Sequence, residues 1–275
     1  MRVLVAGGTG RLGRLVVEQL VGEGVTVRVL TRDRRRAEPL QRDGVEVVDG
    51  DVRRPDTLSP AVDGVDVVVS AVHGFAGPGR VTPASVDRDG NANLINAAAQ
   101  ANAAVVMLSI VGAASDSPLE LARYKYAAEQ HLRGSGVSWT IVRCSAFAEL
   151  WAELVGKGIV FGTGDNPINF VSVHDAAEVV TAAVVDPGCR GRVIDVAGPA
   201  DLTFNQLAAL LAEQRGRPAR VRHVPRWLLR ALAPLHRQPR AGYAMDTTDM
   251  SYRRGPHSVI GSTDIRRAVG PRVGD

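Results

Sequence analysis

The start of the chain constrains its fold most, because a short apolar strand leads directly into a glycine-rich loop and then a helix. The strand is predicted at residues 2–6, the loop is Gly7-Gly8-Thr9-Gly10-Arg11-Leu12-Gly13, and residues 11–22 have helical periodicity. In such a loop Gly7 allows a turn, Gly10 lets the backbone approach a pyrophosphate, and Gly13 allows close packing of the helix on the strand. The N–H groups and positive dipole end of the helix favour the phosphates. This context predicts a dinucleotide-binding loop, with contacts from Gly7, Thr9, Gly10, Arg11, Leu12 and Gly13.

Apolar strands continue to alternate with helical patterns through the first two-thirds of the chain. Further strands are predicted at 25–30, 45–48, 65–70, 104–109 and 138–143, and helices at 83–102 and 118–134. The strands are almost wholly apolar, which is typical of parallel strands covered on both faces. The fold class is therefore α/β, with a doubly wound parallel Rossmann sheet that binds ligands at the carboxyl ends of its strands.

The end of the second strand indicates which dinucleotide binds. A carboxylate there favours NAD by accepting from the ribose hydroxyl, whereas an arginine favours the phosphate of NADP. The sequence has Thr31-Arg32-Asp33-Arg34-Arg35-Arg36, and a guanidinium can bind a phosphate in a bidentate manner. Arg32, with Arg35 or Arg36 behind it, predicts a preference for NADP(H). Asp33 leaves NAD(H) possible.

Three further strand ends supply candidate contacts. Asp51 is expected to accept from the adenine amino group, while the N–H of Val52 donates to the ring. Ser70 and Ala71 are expected to run beside the nicotinamide ribose. His73 follows at the same edge of the sheet, where a histidine can titrate close to the reacting ring, although a structural role is open.

The C-terminal part of the chain is less regular. Residues 156–169 are rich in glycine and turn residues, strands are predicted at 170–173 and 191–196, helices at 174–185 and 203–214, and 225–235 is amphipathic. We predict one compact unit, 1–275. Within it, residues 1–145 and about 170–196 form the NAD(P)-binding core, and about 146–169 and 197–275 form a smaller substrate-side lobe and tail.

Composition and charge exclude several function classes. The 275 residues are 45% hydrophobic and 23% charged, with no apolar run of the roughly 18 residues that a membrane span needs. Without a secretory signal pattern, we expect a cytoplasmic protein. The two cysteines, Cys144 and Cys189, match no metal spacing, so no metal is expected. Residues 215–275 hold 13 arginines against four acidic residues, but without a DNA-binding pattern we expect a solvated face and no nucleic-acid partner.

Taken together, these motifs resemble the atypical short-chain dehydrogenase/reductases, most closely the NmrA-like NAD(P)-binding proteins. Further similar segments are Lys125-Tyr126-Ala127-Ala128-Glu129-Gln130, Gly136 to Arg143, Phe170 to Ala177, Gly198-Pro199 and Leu202-Thr203-Phe204. The similarity covers about residues 1–215. It implies a nicotinamide cofactor and a lysine in contact with its ribose, which Lys125 matches. Cys144 and Phe147 correspond to the segment that passes beside the nicotinamide.

The chain departs from the family at the catalytic tyrosine. Members with the usual mechanism carry Tyr-x-x-x-Lys and an upstream serine, and the tyrosine donates a proton to the carbonyl oxygen. Here the position four before Lys125 is Leu121, and Tyr124 and Tyr126 are each rotated about 100° from Lys125 around a helix. Ser109 lies near the position of the family serine. The usual alcohol dehydrogenase mechanism is therefore not expected.

Three explanations of Leu121 remain open. The chain is a reductase of a quinone, enone or related carbonyl that is protonated by water, His73 or Lys125; a redox sensor that binds NADP(H) without turnover; or an assembly protein stabilised by the cofactor. The first is preferred, with Lys125, Ser109 and His73 as candidate catalytic residues. An apolar or aromatic substrate is expected, because Phe147, Trp151 and Phe161 are candidate pocket residues, with Asn166, Asn169 and His174 as polar partners. The oligomeric state is not predicted.

Overall fold

The structure is a computed structural model that describes residues 1–74, 81–216, 218, 220–234 and 237–270. In chain order the first elements are β1 (Arg2–Ala6), α1 (Arg11–Gly22), β2 (Thr26–Thr31), β3 (Val45–Asp49), α2 (Ser59–Val62), β4 (Val67–Ser70), α3 (Asp89–Gln100), β5 (Ala104–Ile110), α4 (Glu120–Gly134) and β6 (Trp139–Cys144). The later elements are β7 (Ala146–Phe147), α5 (Ala148–Val155), β8 (Ile159–Phe161), β9 (Ile168–Val171), α6 (Val173–Val185), β10 (Val193–Ala197), β11 (Asp201–Leu202), α7 (Phe204–Gln214), β12 (Arg222–Val224), α8 (Arg226–Leu232), α9 (Arg237–Thr247), β13 (Ser258–Ile260) and α10 (Ile265–Val269).

A large eight-stranded sheet with the order β13-β10-β6-β5-β4-β1-β2-β3 forms the centre of the fold. Strand β1 pairs in parallel with both β2 and β4, so the chain winds outward in one direction through β3 and in the other through β5 and β6. The predicted doubly wound parallel Rossmann sheet is confirmed. Its topological switch point lies between β1 and β4, which is where such sheets bind ligands at the carboxyl ends of the strands.

The apolar patterns in the sequence explain these elements. Residues 3–6 of β1 are fully buried, as expected for a central strand covered on both faces. Helix α1 buries Leu12, Val16, Val17 and Leu20, which share one face of the helix, and leaves its polar face in solvent.

The chain divides into two compact units. The first contains residues 1–117, 121–143 and 176–194, and the second contains 118–120, 144–175 and 195–275. The core of the first unit surrounds Leu4, Leu94, Met107 and Ile141. The core of the second unit contains Phe170 and Phe204, whose ring centroids lie 6.1 Å apart.

The structure differs from the predicted elements in several places. The strand predicted at 170–173 is instead β9, which ends at Val171, and α6 begins at Val173. Residues 83–102 form a π-helix, Ala84–Arg88, followed by α3, instead of one continuous α-helix. The turn-rich segment 156–169 contains β8 and the start of β9. Across the described ranges, no helix is long and apolar enough to cross a membrane.

Candidate functional site

The glycine loop lies at the switch point of the sheet, against the end of β4. Gly7 has φ +90°, and a Cβ atom there would lie 2.5 Å from the carbonyl oxygen of Ala71. A Cβ at Gly13 would lie 2.1 Å from the carbonyl oxygen of Gly7. The N–H of Gly10 donates to the same carbonyl at 2.9 Å. Side chains at Gly7 and Gly13 would therefore displace backbone, which explains why glycine occupies both positions.

The first turn of α1 suits an anionic ligand. Gly10 is the N-cap residue and offers no side-chain acceptor, and the first turn contains no acidic residue. The N–H groups of this turn are therefore not capped by a side chain and can bind phosphate oxygens. Thr9 is partly buried, Arg11 is exposed, and Leu12 packs into the core, so only the backbone of Leu12 is suited to contact a ligand.

The charged residues at the end of β2 differ in their partners. The carboxylate of Asp33 accepts from the backbone N–H of Arg35 at 3.1 Å and from its guanidinium, and these hydrogen bonds hold the pKa of Asp33 below its usual value. Arg34 pairs with Asp49 at 2.7 Å. The side chains of Arg32 and Arg36 are exposed and have no carboxylate within salt-bridge distance in the described part of the chain.

Asp51 and Val52 lie on the next strand connection, after β3. Both carboxylate oxygens of Asp51 accept from the guanidinium of Arg53, with a closest distance of 2.5 Å. Burial raises the pKa of Asp51, but the hydrogen bonds and charge of Arg53 and the charge of Arg32 lower it below its usual value. Val52 is buried, and its carbonyl accepts from the amide of Asn93 at 2.9 Å.

The segment after β4 forms the edge of the sheet beside the glycine loop. Ser70 is fully buried, and its hydroxyl donates to Asn91 at 2.5 Å. The N–H of Ala71 donates to Ala6 at the end of β1. Part of His73 reaches solvent, but the surrounding protein desolvates its ring and lowers the pKa of His73. The charge of Asp87 raises this pKa and that of Lys125 lowers it, and the net direction is downward.

Lys125 projects from α4 to this same edge. Its side chain is 5% exposed, its ammonium donates to the carbonyl oxygen of Val72 at 3.0 Å, and it lies 3.0 Å from Oδ1 of Asp87. The other oxygen of Asp87 accepts from the N–H of Gly74 at 2.7 Å. The structure therefore brings Lys125 and the segment 71–74 together, and this segment contacts the glycine loop.

Ser109 makes a different contact. Its hydroxyl donates to Glu129 at 2.5 Å, and Glu129 also pairs with the guanidinium of Arg143 at 2.5 Å. Glu129 is fully buried. These contacts join β5, α4 and β6, so the Glu of the Lys-x-x-x-Glu pattern has a structural partner on each neighbouring strand.

The structure places no phenol four residues before Lys125. Leu121 is partly buried in the first turn of α4. The ring of Tyr124 lies under the guanidinium of Arg88, 5.4 Å from ring centroid to Cζ. Tyr126 is also partly buried.

The remaining candidate residues belong to the second unit. Cys144 is buried at the end of β6, and Phe147 is partly buried in β7. Trp151 packs against Phe204 with ring centroids 5.1 Å apart. The amide of Asn166 donates to Met245 at 2.7 Å, that of Asn169 donates to Asp201 at 2.8 Å, Phe161 is partly buried and His174 is exposed. Each of the two amides thus has a partner within its own unit.

Asp87 and Asn91 are polar residues of the site that belong to none of the sequence motifs described above. Both are fully buried, and they lie on the helical face that also carries Leu94, Ile95 and Ala98. Polar side chains on the apolar face of a helix indicate either a buried network or a site. The spacing of Asp87 and Asn91 relative to Leu94, Ile95 and Ala98 is therefore the feature of the sequence that could have identified them.

Known proteins similar to this chain bind nicotinamide cofactors or assist assembly. A family model described as NAD(P)H-binding matches residues 7–187. NAD(P)H azoreductase of Xenophilus azovorans is 33% identical over 225 residues, 79% of this chain and 75% of that protein. Photosystem II assembly factor Ycf39 of Synechocystis is 32% identical over 237 residues, 84% of this chain and 72% of that protein. The structure of an NADPH-dependent quinone oxidoreductase of Escherichia coli complexed with NADPH has a TM-score of 0.72 and 25% identity, covering 90% of this chain and 88% of that one.

Proposed function

Since the chain belongs to the NAD(P)H-binding family of NmrA-like short-chain dehydrogenase/reductases, we propose that it is an NADPH-dependent reductase of a small planar electrophile, such as a quinone or an enone. The observation that carries the proposal is the ammonium of Lys125, buried 3.0 Å from Val72 at the edge that borders the glycine loop. Similarity to an azoreductase and to a quinone oxidoreductase supports the same chemistry.

The residues of the first unit fit the cofactor. The glycine loop and the first turn of α1 would hold the pyrophosphate, and Ser70 and Ala71 would border the nicotinamide ribose. When bound, NADPH supplies the hydride. Lys125 offers three N–H donors, of which one donates to Val72, and the ammonium is paired electrostatically with Asp87, so donor capacity is left for a ribose hydroxyl or a substrate oxygen.

The missing phenol restricts the substrate class. Reduction of a quinone places negative charge on an oxygen that is conjugated with an aromatic ring, and this oxyanion needs weaker acid assistance than the alkoxide formed from a simple ketone. The ammonium of Lys125 can stabilise that charge and donate the proton, and water can also serve as proton source, whereas the lowered pKa of His73 leaves its ring mostly neutral at neutral pH and makes it the weaker donor. We therefore favour quinones and enones over simple alcohols and ketones.

The end of β2 supports NADPH over NADH. Asp33 caps the following 3-10 helix and pairs with Arg35, so its carboxylate is engaged away from a ribose hydroxyl. Arg32 and Arg36 have no such carboxylate partner in the described ranges and can bind the phosphate of NADPH.

A second candidate function is a cofactor-binding sensor or assembly protein without turnover. The similarity to the photosystem II assembly factor Ycf39 favours it, because that relative covers more of this chain than the azoreductase does. Leu121 agrees with it equally well. In this case NADPH would bind to the same loop and stabilise the native state by mass action.

Oxidation of NADPH in the presence of a panel of quinones and enones distinguishes the two candidates. Binding of NADPH is measured in parallel by calorimetry, so that a failure to bind is not mistaken for a failure to react. We expect turnover with at least one quinone. Tight NADPH binding without turnover of any acceptor would instead favour the sensor or assembly function.

The expected compartment and partners remain predictions. We propose a cytoplasmic protein with a small-molecule substrate and no nucleic-acid partner. Steeply salt-dependent binding of the protein to DNA, as expected if the arginines of residues 215–275 contacted phosphates, would overturn the last of these.

A further inference from the structure

Asp87 is a fully buried carboxylate to which the proposed reaction gives no role. It is 0% exposed, one of its oxygens lies 3.0 Å from the ammonium of Lys125, and the other accepts from the N–H of Gly74 at 2.7 Å. Lys125 in turn donates to Val72. Asp87 therefore contacts the Gly74 end of the segment Val72–Gly74, and its ion-pair partner Lys125 contacts the Val72 end.

The position of Asp87 depends on the π-helix that precedes α3. The side-chain amide of Asn91 donates to the backbone carbonyl of Asp87 at 2.9 Å and lies 3.4 Å from the backbone carbonyl of Val86. It therefore binds two carbonyl groups of the π-helix. The side-chain oxygen Oδ1 of Asn91 accepts from the hydroxyl of Ser70. These hydrogen bonds connect the π-helix to the end of β4, and short π-helical segments of this kind occur often at functional sites.

Burial of the charged pair of Asp87 and Lys125 costs desolvation free energy. Two charges removed from water lose hydration, and apolar residues of similar volume usually give equal or greater stability. A buried charge pair at the edge of the sheet beside the glycine loop, in which Oδ1 of Asp87 accepts no hydrogen bond from the described residues, is therefore a candidate for function rather than for stability alone. Here the pair joins the two parts of the site that must keep a fixed separation, the ammonium and the backbone after β4.

We propose that Asp87 is the positioning residue of this site, which fixes the ammonium of Lys125 relative to the segment 72–74. Its effect on turnover rests on the proposed function of Lys125. Its effect on geometry does not, because that geometry is present without any acceptor.

The titration of His73 tests the geometry. His73 is faced by Asp87 from the π-helix and by Lys125 from α4, and these two groups act on its pKa in opposite directions. In Asp87→Asn the midpoint of His73, followed by NMR and assigned with His73→Gln, should fall. In Lys125→Met it should rise. The matched control is Asp89→Asn, two residues away with an exposed carboxylate paired to Arg88, and it should leave the midpoint unchanged.

Steady-state kinetics test the positioning role. Asp87→Asn should lower kcat by tenfold or more, since small misplacements of a reacting group are costly, while the Kd of NADPH changes less than threefold. Hydrogen exchange of the Gly74 N–H in the unaltered protein requires no variant, and we expect strong protection.

Each result decides a separate point. An unprotected Gly74 N–H, or a His73 midpoint that Asp87→Asn and Lys125→Met do not move in opposite directions, overturns the proposed geometry. A shifted midpoint with unchanged kcat overturns the positioning role. If the unaltered protein reduces no acceptor while the His73 shifts appear as expected, the reductase function fails and the geometry stands.

Discussion

Replacement of Lys125 by methionine is expected to destabilise the protein as well as to remove the ammonium. The variant leaves the carboxylate of Asp87 at 0% exposure, with the N–H of Gly74 as its remaining hydrogen-bond donor among the described residues. Removal of one member of a buried ion pair typically costs about 3–5 kcal/mol, because an uncompensated charge stays in the interior. For a unit of this size that corresponds to a loss of roughly 6–20 °C in Tm.

The double variant Lys125→Met/Asp87→Asn separates the two effects. Asparagine is neutral and keeps an oxygen that accepts from Gly74, while methionine fills the space of the lysine stem. We expect the double variant to lie within about 1.5 kcal/mol of the unaltered protein, since replacing both members of a buried pair is often nearly neutral.

The coupling free energy of the pair follows from thermal and urea unfolding of the unaltered protein, Lys125→Met, Asp87→Asn and the double variant, each followed by circular dichroism. A matched control is Lys157→Arg, since Lys157 is exposed in a glycine-rich loop and should be neutral. A cost of less than about 1 kcal/mol for Lys125→Met, or a double variant as unstable as Lys125→Met alone, would contradict a buried ion pair at this position.

Two other substitutions test the cofactor site, and a third tests the structural contact of Ser109. Gly13→Ala should weaken NADPH binding at least tenfold, because its Cβ would lie 2.1 Å from Gly7 backbone, whereas Gly22→Ala in the same helix meets nothing within 4 Å and should bind normally. Arg32→Ala should raise the Kd of NADPH by about 10–150-fold, the equivalent of about 1.5–3 kcal/mol for hydrogen bonds to a charged group, and leave NADH binding unchanged. Its control, Arg34→Ala, loses only an exposed pair, and calorimetry showing equal losses in both variants would contradict the assignment. Ser109→Ala should cost about 1.5–3 kcal/mol in urea unfolding yet keep NADPH affinity, and a loss of affinity without a loss of stability would contradict its structural contact with Glu129.

The central sheet was largely predictable from the sequence. The predicted strands at 2–6, 45–48 and 104–109 match β1, β3 and β5 to within a residue, because buried parallel strands form continuous apolar runs. The helix predicted at 11–22 has those bounds, since its apolar face and the glycines before it define both its period and its start.

The short strands of the second unit could not be predicted in this way. Strands β7 and β11 have two residues each, and β8, β12 and β13 have three, which is too short for an alternating pattern. Their pairing depends on partners that are distant in sequence, such as Arg222 with Ile159.

The candidate site was only partly predictable from the sequence. Arginine fills 31 of the 33 basic positions, so the sequence already distinguished Lys125, which the structure shows to be buried beside Asp87. It did not distinguish Asp87, because the π-helix depends on contacts of Asn91 and Ser70 that bring separate segments together. Local propensity contains no information about such contacts.

Turnover of NADPH and a quinone by the unaltered protein and by Lys125→Met/Asp87→Asn tests the proposed reductase most directly, because the double variant keeps the fold while it removes the ammonium. We expect kcat to fall by about 100-fold or more, the usual contribution of a positioned acid, with NADPH affinity within tenfold. Equal kcat in the two proteins would contradict the role of Lys125. NADPH binding with no reduction of any quinone by the unaltered protein would contradict the reductase function itself.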